Sequence, residues 1–545
     1  MALKRDPVAF PKLNDAQIAA LSTCAKLKQF APRQALFSAG QCDYAFYVIK
    51  SGQVEIVDHS SGQDEVVTVH EPGEFTGDVD MLTGRPALVS AIARTATEAY
   101  EVAAADLRRI INEMPQIGDV LLRAFLMRRR LLEDSGFAAV RVVGSRYSRD
   151  THRIREFLAR NKVPFTWIDL ENDPSVNALL GRFGIRPEET PVVVRGSDVI
   201  LRNPSNPQLA DALGIRKPLE QTLYDLAIVG AGPAGLAAAV YGASEGLKTV
   251  VLDRIGPGGQ AGTSSKIENY LGFPTGLSGS DLASRALIQA EKFGATLSSP
   301  AEVAGLDSQS GYHVLRMADG GELSAKCVVV SAGAAYRKLD AEGCARFEGS
   351  GIYYAATPIE AQLCRNAQVV IVGGGNSAGQ AAVFLAERAS KVLLVIRSDD
   401  LSKSMSHYLI RRIEQTPKIE VRRRTEITKA QGDQSLSAVQ LRSTDTGKTE
   451  TITCVALFVF IGAVPHTSWL KDAVELDRNG FVKTGLQLAD APGWTLRRQP
   501  FLLETSRPGV FAAGDVRLGS TKRVASAVGE GAMAVQFAHQ YLSSS

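Results

Sequence analysis

The sequence predicts an α/β multidomain fold, and three observations carry that prediction. Two stretches, Asp225–Tyr241 and Gln368–Ala382, each run from a short apolar strand through a glycine-rich turn into an alanine-rich helix. Residues 138–215 order their patterns as β-α-β-α-β. Ahead of them, Arg33 to Val102 reads as short alternating strands punctuated by Gly, Asp and Pro, and helical periodicity follows. The length of 545 residues agrees, because it exceeds what one hydrophobic core fills.

Hydrophobic content of 45% with 22% charged residues is ordinary for a globular chain, and a net charge of +3 gives no basis for nucleic-acid binding. The clusters Arg128-Arg129-Arg130 and Arg422-Arg423-Arg424 are expected to be solvated faces. No apolar run reaches the roughly 18–20 residues that cross a bilayer. The longest, Val455–Val464, has the length of a strand. Met1–Pro7 lacks the apolar core of a signal peptide, so a cytoplasmic location is expected. Cys24, Cys42, Cys327, Cys344, Cys364 and Cys454 include no pair two residues apart. That spacing excludes a C-x-x-C redox pair and a zinc knuckle, so no metal is expected and the six are read as small buried or partly buried hydrophobes.

In the N-terminal segment, Ala45–Ile49, Gln53–Val57 and Glu65–Val69 alternate as strands, with turns at Lys50-Ser-Gly52 and Glu71-Pro-Gly73. After Ala103 the apolar residues Leu107, Ile110, Ile111, Ile117, Val120, Leu121, Ala124 and Phe125 recur at helical spacing. The run Phe37-Ser-Ala-Gly-Gln-Cys-Asp-Tyr-Ala-Phe-Tyr-Val-Ile-Lys-Ser-Gly-Gln-Val54 resembles the cyclic-nucleotide-binding domain family over residues 1–135. The resemblance implies a β-roll whose ligand loop is Thr76–Val89, with Gly77, Asp78 and Arg85 as the candidate ligand contacts. Asp78 stands where the family has a Glu for the ribose hydroxyl, and Ala87 where it has the Arg that pairs with the cyclic phosphate. Losing that charge-assisted contact costs about 1.5–3 kcal/mol. Arg85 is two residues away and does not inherit the same fork geometry. Cyclic-nucleotide binding and ligand-free structural or regulatory use both stay open. No helix-turn-helix follows, so a transcription-factor role is unsupported.

In residues 138–215, Val140–Val143 reads as a strand, Thr151–Asn161 as a helix, Pro164–Leu170 as a strand, Pro174–Phe183 as a helix and Pro191–Arg195 as a strand. That order, with Asn161-Lys-Val-Pro-Phe165 and Glu189-Thr-Pro-Val-Val193, resembles a glutaredoxin, a thioredoxin-fold protein. The resemblance implies a cis peptide at Pro191 and places the family's C-P-x-C motif on Ser148-Arg149-Asp150-Thr151. Both sulfurs are absent, and a hydroxyl cannot replace a thiolate in disulfide exchange. A spacer or docking platform is expected. The Pro-spaced stretches Asn203–Pro207 and Gly214–Pro218 read as a linker.

In the remainder, Leu226–Val229 is the strand of a dinucleotide-binding turn in which Gly230, Gly232 and Gly235 hold G-x-G-x-x-G spacing. A diphosphate would sit on free N–H groups at the following helix N-terminus. Asp253, at the end of the next strand, suits a ribose hydroxyl. The second turn places Gly373, Gly375 and Ala378 at G-x-G-x-x-A spacing, and its next strand ends at Arg397 in place of an acid. An Arg pairs with a 2′-phosphate, so NADPH is favoured over NADH, with Lys403 as a second contact. Gly509–Asp515 is a strand running into a Gly-Asp turn.

About 320 residues resemble low-molecular-weight thioredoxin reductases. The matching stretches are Gly258-Gly-Gln260, Ile267–Tyr270 with Gly272-Phe-Pro274, Val329–Ala334, Phe460–Pro465 and Lys522–Gly529. The resemblance implies two nested Rossmann-like folds: an FAD domain from 222–337 and 466–545, and an NADPH domain at 340–462 with hinges near Ala334-Ala335 and Gly462. FAD contacts are implied first at Gly230, Gly232, Pro233, Ala234, Gly235 and Asp253. Further FAD contacts fall on Gly259, Gln260, Asn269, Gly333, Gly514, Asp515, Lys522, Arg523 and Val524. NADPH contacts are implied at Gly373, Gly375, Asn376, Ser377, Ala378, Arg397 and Lys403, and the assembly at a homodimer.

The family's C-A-T-C dithiol is missing, because Ala355 and Pro358 occupy the cysteine positions. No catalytic residue is therefore assigned, and Cys364 is a weak candidate as a single sulfur. The expectation is hydride transfer from NADPH to FAD, then electron delivery from flavin to a ferredoxin-like protein, a quinone or oxygen. The alternatives are thioredoxin-disulfide reduction through another thiol, a signalling protein coupling flavin redox state to cyclic-nucleotide binding, and a ligand-binding scaffold.

Overall fold

The computed structural model describes residues 5–544 except 60–63, 136, 139, 174–175, 177–179, 182–183, 196–198, 218, 220–221, 310, 489–493 and 495. Residues 26–102 form two antiparallel sheets. One has the order Lys26–Phe30, Thr97–Val102, Phe46–Ser51; the other runs Ala35–Phe37, Ser90–Ala93, Val54–Asp58, Glu65–His70. Phe46, Phe75 and Phe125 meet edge-on or tilted between them, with ring centroids 5.6–6.3 Å apart.

Helix Pro115–Asp134 closes this roll and overturns one expectation. Leu121, Ala124, Phe125 and Arg128 share one helical stripe, so Arg128 points into the core and not into water. Its guanidinium lies 4.7 Å from the Phe75 ring centroid and donates to the Ala9 and Gly77 carbonyls at 2.8 and 2.7 Å. Arg129 pairs with Asp78 at 2.9 Å and with Asp80. In the other cluster, Arg423 and Arg424 are exposed as expected.

His70 is fully buried here, 3.4 Å from Glu74, with Arg5 and Arg128 also facing it. Burial lowers its pKa to about 4. The folded state therefore holds it neutral while the unfolded chain protonates it below about 6.5. Its stabilising contribution is present above pH ~6.5 and is lost as pH falls toward 4. Asp78, raised by burial to about 6, runs the other way: it favours the fold as pH drops through 6. In melts at stepped pH, the stability gap between wild type and His70→Phe is expected to shift against wild type between pH ~6.5 and 4. A constant gap would contradict a buried neutral His70.

The middle segment has a four-stranded sheet in the order Val199–Arg202, Val192–Arg195, Val140–Gly144, Phe165–Asp169, of which only the last two strands pair in parallel. Thr190–Pro191 is cis, as the glutaredoxin likeness implies. The fourth strand, Val199–Arg202, was not foreseen. The helix expected over 174–183 lies largely outside the described residues; Val176 and Leu180 are described and buried. The expected linker at Asn203–Pro207 is corrected. Ser205 caps a helix, Asn206–Ala212, in a capping box with Gln208, and Pro207 sits in its first turn, where its missing N–H costs nothing.

Tyr224–Val229 is central in a seven-stranded sheet, flanked in parallel by Thr249–Leu252 and Glu322–Val330. Val510–Ala512 returns from the far end of the chain to pair with Glu322–Val330. Inserted between these halves is a five-stranded parallel sheet in the order Ile352–Tyr353, Ala456–Val459, Gln368–Val372, Lys391–Val395, Ile419–Arg422, with a three-stranded meander beside it. The chain passes between the two sheets through an antiparallel ribbon, Ala334–Tyr336 with Ala463–Pro465, bounded by Gly333 at φ +65° and Gly462 at φ +112°, and Arg412 pairs with Glu268 across them. Among the described residues no helix is long and apolar enough to cross a membrane. Five cysteines are at least partly buried as expected; Cys42, in the turn after Ala35–Phe37, is exposed.

Candidate functional site

A cleft of about 1450 Å³ opens where the two nucleotide-type sheets and the middle segment meet. Its floor is the first glycine turn. Gly230 has φ +107°, and a Cβ there would lie 2.3 Å from the Ser331 carbonyl oxygen. Gly232 begins helix Pro233–Ser244 with no side-chain cap, which leaves its first N–H groups free. A Cβ on Gly232 would meet only the Gly259 Cα, at 3.9 Å, so the backbone stands open to a diphosphate-sized group. Gly235 lies beneath the wall, where a Cβ would be 1.9 Å from the Gly230 carbonyl oxygen.

Asp253 borders the cleft, but its oxygens already accept from Ala231 N at 2.8 Å, Ile255 N at 2.9 Å and Gly256 N at 2.8 Å. It organises the turn at the edge of the cleft. Gly259, Gln260, Asn269, Gly333, Gly514, Asp515, Lys522, Arg523 and Val524 also line the cleft with Gly230, Gly232, Pro233 and Ala234. Of the residues expected at the first nucleotide, only Gly235 does not. Burial raises the Asp515 carboxyl and lowers the Lys522 ammonium, and Lys522 donates to the Asp515 carbonyl at 2.6 Å.

The second turn contributes less. Gly373, at φ +140°, would clash through a Cβ 2.3 Å from the Phe460 carbonyl oxygen, and Gly375 caps helix Asn376–Ala386. Only Asn376 and Ser377 of its expected residues line the cleft; Ser377 bonds the Tyr336 hydroxyl at 3.1 Å. Ala378 is buried, Arg397 is exposed after strand Lys391–Val395, and Lys403 pairs with Asp399 at 3.0 Å.

Ala355 and Pro358 line the same cleft, with Pro358 opening a short helix capped by Thr357 and Glu360. Cys364 ends that helix with no exposure, outside the cleft, and burial pushes its thiol up to about 12. It is protonated at neutral pH and is not a nucleophile. No cysteine lines the cleft among the described residues. Sequence reasoning missed several groups that do. His152 sits 3.5 Å from Glu360, with its ring 5.3 Å from that of Tyr353, and His466 lies near the joining ribbon. It also missed Glu530, which is buried, accepts from Gly514 N at 2.7 Å and pairs with Arg517 at 2.7 Å. No local pattern marks the two histidines, whose contacts cross segments far apart in sequence, whereas Glu530 meets Gly514 and Arg517 within the same C-terminal stretch.

At the N-terminal loop the candidate ligand contacts are engaged by protein. Asp78 accepts from Tyr44 and from the Asp80 amide at 3.4 and 3.0 Å besides its bridge to Arg129, and Gly77 gives its carbonyl to Arg128. Arg85 turns out of the loop to donate to the Asn161 carbonyl at 2.6 Å. The pocket beside Arg85 holds about 130 Å³, below the roughly 300–1,000 Å³ of ordinary ligand sites.

Comparison with known proteins follows the same division. Residues 224–531 match the pyridine nucleotide-disulphide oxidoreductase family, and residues 27–114 match the cyclic nucleotide-binding domain. The thioredoxin reductase of Treponema pallidum is 34% identical over 322 residues, covering 59% of this chain and 98% of that protein. The thioredoxin reductase of Eremothecium gossypii is 34% identical over 330 residues, again covering 59% and 98%. Among solved structures, Lactococcus lactis thioredoxin reductase in its FR conformation aligns with a TM-score of 0.54 at 28% identity, over 59% of this chain and all of that one. The T. acidophilum thioredoxin reductase aligns with a TM-score of 0.53 at 30% identity, over 60% of this chain and 99% of its own.

Proposed function

The chain belongs to the pyridine nucleotide-disulphide oxidoreductase family and carries a cyclic nucleotide-binding domain ahead of it. From that premise we propose an FAD-dependent NADPH oxidoreductase that passes electrons from flavin directly to an external acceptor, a ferredoxin-like protein, a quinone or oxygen. The observation that carries this reading is one cleft bordered by the Gly230 turn, by Asp515 and by the sulfur-free positions Ala355 and Pro358. The proposed units are 1–135, 138–215, 222–337 with 466–545, and 340–462.

FAD, when bound, supplies the hydride-accepting and electron-donating chemistry that the polypeptide lacks. The chain's part is to bind and orient. Free N–H groups of helix Pro233–Ser244 and the gap between Gly232 and Gly259 suit a diphosphate. Asp515 and Lys522 face the same cavity from the returning strand, and Asn376 and Ser377 face it from the inserted domain. The walls offer no thiol to accept electrons.

Arg397 is proposed to pair with the 2′-phosphate of NADPH. Arg397→Ala is expected to weaken NADPH binding about tenfold, the loss of one charge-assisted contact, while NADH binding stays level. Anaerobic titration of the flavin spectrum with both nucleotides reads this directly and also tests the main proposal. A purified protein that holds no flavin ends the proposal. Rapid reoxidation of the reduced protein by thioredoxin disulfide would restore the disulfide-reductase alternative.

One contact chain favours a regulatory role for the N-terminal domain. Arg85 holds the Asn161 carbonyl, and the Asn161 side chain donates at 2.8 Å to the Ile255 carbonyl, two residues from Asp253. If the two ends are coupled, flavin reduction must change cAMP or cGMP affinity by the factor with which nucleotide changes the flavin equilibrium. Identical nucleotide binding to oxidised and reduced protein would remove this part.

A further inference from the structure

Helix Arg149–Arg160 of the middle segment begins at the positions where the thiols of a glutaredoxin would lie, and it rests on the loop where the thiols of a reductase would lie. Arg149 donates to the Ala345 carbonyl, and its own backbone lies against Gly349. His152 reaches Glu360 and the Tyr353 ring, and the buried Arg155 donates to Gln362 at 3.1 Å while stacking 3.8 Å from the Trp167 ring centroid. The other end of the helix holds the opposite wall, through Arg160 to the Gly259 carbonyl at 3.4 Å and Asn161 to the Ile255 carbonyl at 2.8 Å.

Disulfide exchange requires one sulfur to come within bonding distance of another, about 2 Å. A protein served by a dithiol at positions 355 and 358 would therefore have to seat its thiol-bearing helix against the loop that carries them. In this chain a thioredoxin-type helix already lies there, tethered by the backbone and free of sulfur. Thr151, at the second thiol position, is buried beside Gly144, and its hydroxyl has no hydrogen-bond partner among the described residues.

We propose that residues 140–215 are the resident occupant of a thioredoxin-fold docking face formed by residues 345–362, and that they close this face to outside thioredoxin-fold proteins. Tethering gives such an occupant an effective concentration on the order of millimolar, which a free protein in the cell does not match. The loss of sulfur on both sides of the contact fits a partner that stays and does not react. The proposal rests on the reading above only in explaining why the acceptor is not a thioredoxin-fold disulfide.

The test uses the full chain and reads neither flavin nor turnover, so failure of the flavin reading leaves it intact. A Cβ on Gly349 would lie 3.6 Å from the Arg149 Cβ, within disulfide range. Mild oxidation of Arg149→Cys/Gly349→Cys is expected to link the two positions in nearly every molecule, identified as a crosslinked peptide by mass spectrometry and absent from either single variant. Gly349 has φ +75°, where a Cys is strained, so a second readout is needed. Amide exchange in 345–362 is expected to rise roughly tenfold or more in His152→Ala/Arg155→Ala. In the wild-type chain it is expected to stay unchanged when thiol-blocked free thioredoxin is added in large excess. Unchanged exchange in the double variant, or slower exchange on adding thioredoxin, would overturn the proposal.

Discussion

A Gly235→Ala protein is expected to fold and yet to hold flavin between about five and about 150 times more weakly than wild type. The added methyl would sit 1.9 Å from the Gly230 carbonyl oxygen and 2.6 Å from Ser331 Oγ. The first of these is backbone and cannot swing aside. Relief must come from displacing the turn Gly230–Gly232, whose glycines line the cleft. Overpacking of this kind costs about 1–3 kcal/mol, and each 1.4 kcal/mol is a tenfold change in binding. The flavin-to-protein absorbance ratio after gel filtration, followed by equilibrium dialysis, reads the outcome. Stoichiometric flavin in the variant would mean that the turn is not the flavin site.

Removing one carboxylate on the helix packed against that turn should do comparable damage. Glu530 is 8% exposed, accepts from Gly514 N and pairs with Arg517, whose side chain is 16% exposed. Glu530→Ala strands the Gly514 amide and, among the described residues, leaves the Arg517 guanidinium with only its 3.4 Å contacts to Thr484 and the Leu518 carbonyl. Breaking one side of a buried pair typically costs about 3–5 kcal/mol, and partial exposure of Arg517 puts the expectation near 3. The urea midpoint should fall, and flavin should be lost first, because the freed amide belongs to the Gly514–Asp515 turn. Glu530→Gln retains an acceptor for Gly514 N and should recover flavin binding ahead of stability. Equal recovery of both would detach the carboxylate from the turn.

The parts of this fold that were legible in the sequence are those enforced locally. Gly235 is needed because a Cβ would strike the Gly230 carbonyl oxygen of its own turn, and Gly230 and Gly373 hold positive φ, so strand, glycine spacing and helix appear together in a single window. Arg128 shows how a correct pattern is misread. Its stripe continues Leu121, Ala124 and Phe125, but its charge argued for water, and only the Ala9 and Gly77 carbonyls explain why it is inside. At Ser205 the prolines suggested a linker, while the capping box with Gln208 was present in the same few residues. Arg397 was correctly placed just past a strand end, yet it does not line the cleft wall. His152 and the seat of helix Arg149–Arg160 depend on contacts between distant segments, and no window of sequence contains them.

The ribbon that joins the two nucleotide-type sheets makes the inserted domain a removable cassette. Tyr336 and Ala463 are direct cross-strand partners, so the chain leaves and re-enters the outer fold at adjacent points, about 5 Å apart as such partners are. A two-residue turn such as Asn-Gly spans that gap. Everything from 337 to 462 could be excised and the ribbon closed as a hairpin, leaving an uninterrupted outer fold on which other inserts can be grafted.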